Sequence, residues 1–285
     1  MFNDIIIKNI PAISAVYFGL LQNGYDYFSF GRDEEHIKTV EGFRDVNLRS
    51  VFFAETRQNT CDVYPFWPRA SMLESAVFYL AADKADFSDK ETYRDKIMSA
   101  ANISDDERDS SFWNWVNSFP KELINILSSS AFRKYMEWEN CWIERQNNVF
   151  GDKLKELSMY IEFCVENYDS PVKTAEIVLS PIKCVYSSDY HIVGGRFVFC
   201  SGDFSLDSVI HEFLHHVVHQ TVINHKKHIL DSKAEFIGID SSYYLDGKED
   251  GILNAFEEYF VRCLTERFIS QEFPKDLENC IDELL

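Results

Sequence analysis

The residues of this chain best suited to chemistry are His-Glu-Phe-Leu-His at positions 211–215, which contain the pattern His-Glu-x-x-His. On a helix, His211 and His215 would lie one turn apart on the same face and could direct two imidazoles at one metal ion. This spacing is typical of zinc proteases, in which the Glu of the motif acts as general base. The motif therefore predicts that both histidines bind Zn²⁺ and that Glu212 takes a proton from a zinc-bound water.

The element that must position these groups has the two-sided pattern of an amphipathic helix. One arc of its helical wheel carries Ile210, Phe213, Leu214, Val217 and Thr221, and the opposite arc carries His211, Glu212, His215 and His219. Such a helix can anchor one face in the core while the other lines a cleft. Ser205 or Asp207 is a suitable N-cap for it. A histidine-rich helix with solvated imidazoles and no metal would show the same pattern.

A third metal ligand must come from outside this helix. His219 lies about 12 Å beyond His211 along a straight helix, too far for one ion. A zincin pattern with its third His at position 221 is excluded, because Thr221 stands there. A carboxylate from a second helix could provide the third ligand. Three candidates follow in the sequence: Glu235, Glu257 and Glu258.

The last two candidates lie on a second strongly helical segment, residues 252–264. Glu257 falls within the apolar arc of that segment, where an unpaired charge would be costly. Glu258 lies on the opposite side, four residues before Arg262, and such Glu–Arg pairs are common on helix surfaces. The wheel by itself therefore leaves the third ligand open.

The composition limits the kind of protein and its partners. With 285 residues, 46% hydrophobic and 15% aromatic, the chain can bury a sizeable core. The net charge of −19 argues against a nucleic-acid or anionic-membrane partner, because phosphates would be repelled. The seven cysteines form no Cys-x-x-Cys pair and predict reduced, mostly buried thiols. Since no signal peptide or membrane-spanning stretch is recognisable, we expect a cytoplasmic protein.

The pattern along the chain predicts an α+β fold, mostly helical, with a small mixed β-sheet before the motif helix. Residues 111–168 repeat apolar side chains at helical spacing, whereas residues 174–200 contain strand-like runs with a Gly194-Gly195 turn. We therefore place a helical region at 1–168 and a zincin-like catalytic region at 169–285, interpreted as the two walls of one cleft. Arg196–Cys200 is expected to be the edge strand on which a peptide substrate would lie.

The two helical motifs together resemble an uncharacterised bacterial family of zincin-like domains. His211-Glu212-Phe213-Leu214-His215 is followed by Glu258-Tyr259-Phe260-Val261-Arg262. Members of that family pair His-Glu-Phe-x-His with Glu-x-Leu-Val-Arg on a later helix, and the resemblance covers roughly residues 170–270. It implies that Glu258 is the third ligand and that Arg262 is the partner of this carboxylate.

More broadly, the site is similar to the Glu-ligand zincins, or gluzincins, whose fold joins an upper lobe with a mixed sheet to a lower helical lobe. The chain departs from the thermolysin-like enzymes because more residues separate His215 from Glu258. The resembling family has no settled substrate, so the resemblance supports the site more than the reaction.

These observations predict a zinc-dependent metallopeptidase that hydrolyses a peptide or protein substrate. The oxyanion would need a donor, for which Tyr243, Tyr244, His225 and His228 are candidates that no spacing rule selects. One alternative is a non-catalytic zincin-like protein in which the metal or the fold serves binding or regulation. Another is a helical interaction protein with an accidental motif. The presence of Glu212 favours activity.

Overall fold

The computed structural model describes residues 5–58, 73–74, 77, 110–232 and 249–285. Within them the chain is mostly helical and contains one small mixed sheet, which confirms the predicted α+β class. Three of the residues considered from the sequence, namely Glu235, Tyr243 and Tyr244, lie outside the described residues.

The helices account for most of the described chain. They are α1 (Pro11–Gln22), α2 (Glu34–Glu41), α3 (Val51–Gln58), α4 (Ser110–Ser128), α5 (Ser130–Asn167), α6 (Leu206–Asn224), α7 (Lys226–Ser232), α8 (Glu249–Ile269) and α9 (Leu277–Leu284), with short 3-10 turns at Tyr27–Ser29 and Val46–Leu48. The apolar repeat that predicted helix over residues 111–168 forms α4 and α5. No helix in the described part of the chain has the length and apolar character that a membrane span requires.

The sheet has four strands in the order β1-β2-β4-β3. They are β1 (Ile7–Lys8), β2 (Thr174–Leu179), β3 (Ser188–Val193) and β4 (Arg196–Ser201). The first two pair in parallel and the last two pair antiparallel, so the sheet is mixed as predicted.

The antiparallel pair is a hairpin closed by the predicted Gly194-Gly195 turn. Val193 pairs with Arg196, and both glycines have positive φ, 58° and 78°. A two-residue turn with positive φ at both positions matches the twist of the flanking strands. The expectation that Arg196–Cys200 is an edge strand is wrong, because β4 pairs on both sides and β3 occupies the edge. The sequence pattern identifies strands but does not give their order in the sheet. In the structure, β3 and β2 pair with the two sides of β4.

Contacts divide the chain into two compact units. The sheet unit comprises Ile6–Gly151 and Ala175–Phe204, and the motif unit comprises Asp152–Thr174, Ser205–Leu285 and the first five residues. The strands therefore group with the N-terminal helices, whereas the sequence pattern placed them with the motif helix. Helix α5 contributes residues to both units.

The core of the sheet unit is rich in aromatic side chains. Phe52 stacks on Trp115 with ring centroids 5.6 Å apart, and the indole nitrogen of Trp115 donates to Thr56 at 2.8 Å. Phe18 packs against Phe132 and stays fully buried. These contacts place Trp115 and Phe132, two aromatic residues of the helical segment 111–168, in the core.

A buried polar network adjoins this core. The ammonium of Lys183, 1% exposed, donates to Glu74 at 3.0 Å and also pairs with Asp189. Glu74, fully buried, accepts from Tyr17 at 2.6 Å and from His191 at 2.8 Å. Burial alone would raise the pKa of Glu74, but these partners lower it to about 2. The buried charges are thus paired, as an apolar surrounding requires.

The core of the motif unit is formed by α6 packed against α8. Phe256, Phe260 and Val261 of α8 are fully buried. A cluster of rings from α5, α8 and the following loop closes one end, with Tyr160, Phe163, Phe268 and Phe273 in mutual contact. The described cysteines are free thiols and most of them are buried, as predicted.

Candidate metal centre

Helix α6 begins where the sequence predicts. Ser205 is its N-cap and accepts from the backbone N–H of Ser208 at 3.4 Å, while Asp207 places a negative charge in the first turn. The predicted apolar arc is buried, with Phe213 and Leu214 essentially inaccessible. The motif histidines lie on the remaining, half-buried part of the helix. The apolar face of α6 thus packs in the core, and the opposite face carries His211 and His215.

His211, His215 and Glu258 bring one ligand atom each to a common point. The two Nε2 atoms lie 3.1 Å apart, and Oε2 of Glu258 lies 3.6 Å from His211 and 3.3 Å from His215. In tetrahedral zinc coordination with bonds of about 2.05 Å, neighbouring ligand atoms are about 3.3 Å apart. The separations of the three atoms are therefore close to those along one face of a zinc tetrahedron. Within the described residues this is the only such cluster.

Glu257, the residue before the third ligand candidate, contacts the same histidine from behind. The Nδ1–H of His215 donates to Oε1 of Glu257 at 3.0 Å, and the Nδ1–H of His219 donates to Oε2 at 2.7 Å. Glu257 is therefore neither unpaired nor a member of the ligand triangle. Glu257 lies in the apolar arc of α8, and its carboxylate contacts the histidine-bearing side of α6.

Arg262 lies beside the other oxygen of Glu258. Its Nε–H donates to Oε1 at 2.7 Å, so the carboxylate offers Oε2 to the cluster and Oε1 to the guanidinium. This is the pairing that the family resemblance implies. The guanidinium is half exposed whereas the carboxylate is largely buried, so Arg262 holds Glu258 from the solvent side.

The electrostatics of the cluster reflect its two carboxylates. Burial favours a neutral His215, but the hydrogen bonds to Glu257 and Glu258 and the charge of Glu212 raise the pKa of this imidazole to about 9. Burial likewise opposes ionisation of Glu258, yet its contacts with both motif histidines hold its pKa far below the usual range. The site thus stabilises positive charge at the point where the three ligand atoms meet.

Glu212 is half-buried on α6, between the two histidines in sequence, and its charge acts on His215. Glu212 thus lies close enough to the cluster for its charge to raise the pKa of this imidazole.

The other histidines of this region have separate partners. The ring of His216 lies 3.1 Å from the hydroxyl of Ser170, and burial lowers its pKa. His225 bonds to the carbonyl of Thr221 and lies about 15 Å further along the helix axis than His215. His228 lies 3.8 Å from Asp282. Within the described residues, none of them joins the ligand cluster.

Comparisons with known proteins add no relative. No family model, no curated protein and no solved structure matches this chain. The zincin-like resemblance stays a prediction that rests on the two motifs.

The sequence did not predict that Glu257 contacts both His215 and His219. A signal for it exists, because His215 and His219 repeat the i, i+4 spacing on α6 and two consecutive carboxylates stand on α8. The wheel placed one carboxylate in the apolar arc and the other outside it. The helical wheel of α8 does not show which other helix its apolar arc packs against.

Proposed function

We propose that this protein is a zinc-dependent peptidase whose ligands are His211, His215 and Glu258. The observation that carries the proposal is the triangle of one carboxylate oxygen and two imidazole nitrogens with edges of 3.1, 3.3 and 3.6 Å. Two neutral imidazoles and one carboxylate are a ligand set of catalytic zinc sites, which keep one position open. Free thiols across the described chain fit the reducing cytoplasm as its compartment.

The chemistry divides between the ion and the chain. A zinc ion bound there supplies a Lewis acid and lowers the pKa of water into the neutral range. Glu212 accepts the proton of the attacking water and returns it to the leaving amine, the two tasks of a general base that becomes a general acid. Arg262 keeps Glu258 oriented, so that this carboxylate needs no ordering when substrate arrives.

The class of substrate follows from the nucleophile. Activated water between a general base and a Lewis acid suits hydrolysis of an acyl bond, and a peptide is the acyl compound for which this motif is used. The strongly negative chain favours substrates that are not themselves acidic.

Replacement of Glu212 by Gln tests the proposal. Wild type should contain one zinc per chain and cleave a mixed-sequence fluorogenic peptide library or denatured casein. The E212Q variant should keep its zinc, because Glu212 is not a ligand, and lose at least 100-fold in rate. E266Q, which removes an exposed carboxylate of α8, should match wild type and controls for purification and charge.

Each departure from this result has a definite meaning. Cleavage by E212Q at the wild-type rate would show that the mechanism is wrong. A wild type that holds zinc but cleaves nothing in the library would favour a non-catalytic zincin-like protein. A wild type that binds no zinc would leave a helical interaction protein with an accidental motif.

A further inference from the structure

His219 and His215 share one carboxylate. Glu257 accepts from the Nδ1–H of His215 with one oxygen and from the Nδ1–H of His219 with the other, at 3.0 and 2.7 Å. Glu257 is largely buried, whereas His219 is 61% exposed. The three side chains therefore form a chain of contacts that runs from the candidate ligand to the protein surface.

The contact with Glu257 determines which nitrogen His215 can offer to a metal. An ionised carboxylate only accepts hydrogen bonds, so Nδ1 of His215 must carry its proton. The remaining nitrogen, Nε2, is the one that lies 3.1 Å from His211 and 3.3 Å from Glu258. Glu257 thus fixes both the tautomer and the tilt of the ring. Carboxylates that hold metal-binding histidines in this way raise ligand basicity and affinity.

The second contact explains the position of Glu257 itself. A glutamate has three side-chain torsions, and a single hydrogen bond leaves it several alternative rotamers. The bond from His219 holds the second oxygen, which leaves the first one directed at His215. His219 stands one turn beyond His215 on the same helix, and Glu257 therefore spans both rings from the facing helix.

We propose that Glu257 is a positioning residue that orients His215 for metal binding, and that His219 acts only by holding Glu257. The inference rests on the metal site of the proposed function but not on its peptidase activity. It assigns a role to His219, which its spacing along α6 excluded as a ligand. Two consecutive residues of α8 then serve the site: Glu258 as a ligand and Glu257 as the residue that orients His215.

Zinc affinity, measured by competition with a chromophoric chelator at constant pH, is the test. E257A should weaken zinc binding about 10- to 100-fold, the usual effect of removing such a support. E257Q should retain most of the affinity, because its amide oxygen accepts from His215 and its amide N–H donates to a neutral His219. This rescue by a neutral isostere distinguishes orientation from charge. E266A, an exposed loss of charge on the same helix, should bind like wild type.

A double-mutant cycle tests the part assigned to His219. H219A should weaken binding by less than E257A, and the H219A/E257A double variant should bind no more weakly than E257A alone, since His219 has nothing left to hold. Nitrogen-15 spectra of the zinc-loaded protein should show His215 protonated at Nδ1 in wild type and in E257Q.

Three results would overturn the inference. They are an affinity of E257A within twofold of wild type, an E257Q variant as weak as E257A, and additive effects in the cycle. A wild type without zinc affinity would remove both this inference and the metal part of the proposed function. If the affinities follow the expected pattern while no peptide is cleaved, the inference stands and only the peptidase proposal fails.

Discussion

Glu257 and Glu258, neighbours in the sequence, contact opposite nitrogens of the same ring. Oε1 of Glu257 lies 3.0 Å from Nδ1 of His215, and Oε2 of Glu258 lies 3.3 Å from its Nε2. Consecutive residues of a helix point about 100° apart, so an imidazole that lies between these directions meets both carboxylates. The rotation of α8 about its own axis is thereby coupled to the side chain of one residue on α6.

Replacement of Glu258 by Ala should abolish tight zinc binding. The change removes one of three ligand atoms, so we expect an affinity loss greater than the 10- to 100-fold typical of a supporting residue. R262A should cost about 10-fold, because it removes only the hydrogen bond to Oε1. Equilibrium dialysis with zinc, followed by metal analysis, measures both variants.

The order of the two effects is the decisive point in that comparison. If R262A lost more affinity than E258A, the carboxylate would not be a ligand and Arg262 would have another role. Thermal unfolding of the metal-free variants serves as the control, since both side chains lie on a helix whose core residues are unchanged.

The histidine spacing on α6 could be read from the sequence because it is a local property. His211 and His215 need only a helix to share a face, and Ser205 with the apolar arc identifies that helix. The partner Glu258 required a contact between two helices distant in sequence, which periodicity does not contain. Only the resemblance to a known motif pair selected it over Glu257.

The error at the sheet has a similar origin. The apolar run within Arg196–Cys200 predicts a strand, and the Gly194-Gly195 turn identifies its antiparallel partner. Whether β2 pairs along the other side of β4 depends on the connection across residues 180–187, which forms turns. Strand order is a tertiary property, so the pattern left it undetermined.

Replacement of Lys183 by Met should destabilise the sheet unit by about 3–5 kcal/mol. Removal of the ammonium leaves the fully buried carboxylate of Glu74 without its cation, and such a broken pair costs more than the loss of the attraction itself. Urea unfolding followed by tryptophan fluorescence measures the change.

The matched experiment combines this substitution with E74Q. The double variant should recover part of the loss, because no buried charge then remains uncompensated on Glu74. K155M, which removes an exposed lysine paired with Asp152, should leave the unfolding midpoint unchanged. A K183M protein as stable as wild type would contradict a paired, buried ammonium.

Glu139 should give the stability of the protein a characteristic pH dependence. Burial raises the pKa of this carboxyl to about 7, although Ser14, Tyr135 and Asn9 all donate to it. Because the folded pKa is raised, the stabilising contribution is fully present below the unfolded value near 4.5 and is lost as the pH rises through about 7.

The corresponding variant is E139Q, which keeps a hydrogen-bonding group but cannot ionise. Relative to E139Q, wild type should lose roughly 3 kcal/mol of unfolding free energy between pH 4.5 and pH 8, measured by urea titration at each pH. E137Q, an exposed carboxylate two residues away on α5, should follow the wild-type pH profile. Parallel profiles for wild type and E139Q would show that the Glu139 carboxyl titrates normally.

Replacement of Gly202 by Ala should strongly destabilise the sheet unit, whereas the same change at Gly194 should cost little. A Cβ on Gly202 would lie 2.2 Å from the carbonyl oxygen of Lys183 and 2.7 Å from the carbonyl carbon of Cys184, and backbone atoms cannot turn away as a side chain can. We expect about 3 kcal/mol or more at this site. At Gly194 the space around a Cβ is open, and only the φ of +58° opposes alanine, at about 1 kcal/mol. Thermal and urea unfolding of the two single variants measure the difference, and a G202A protein as stable as G194A would show that the loop after β4 is not packed against residues 183–184 in solution.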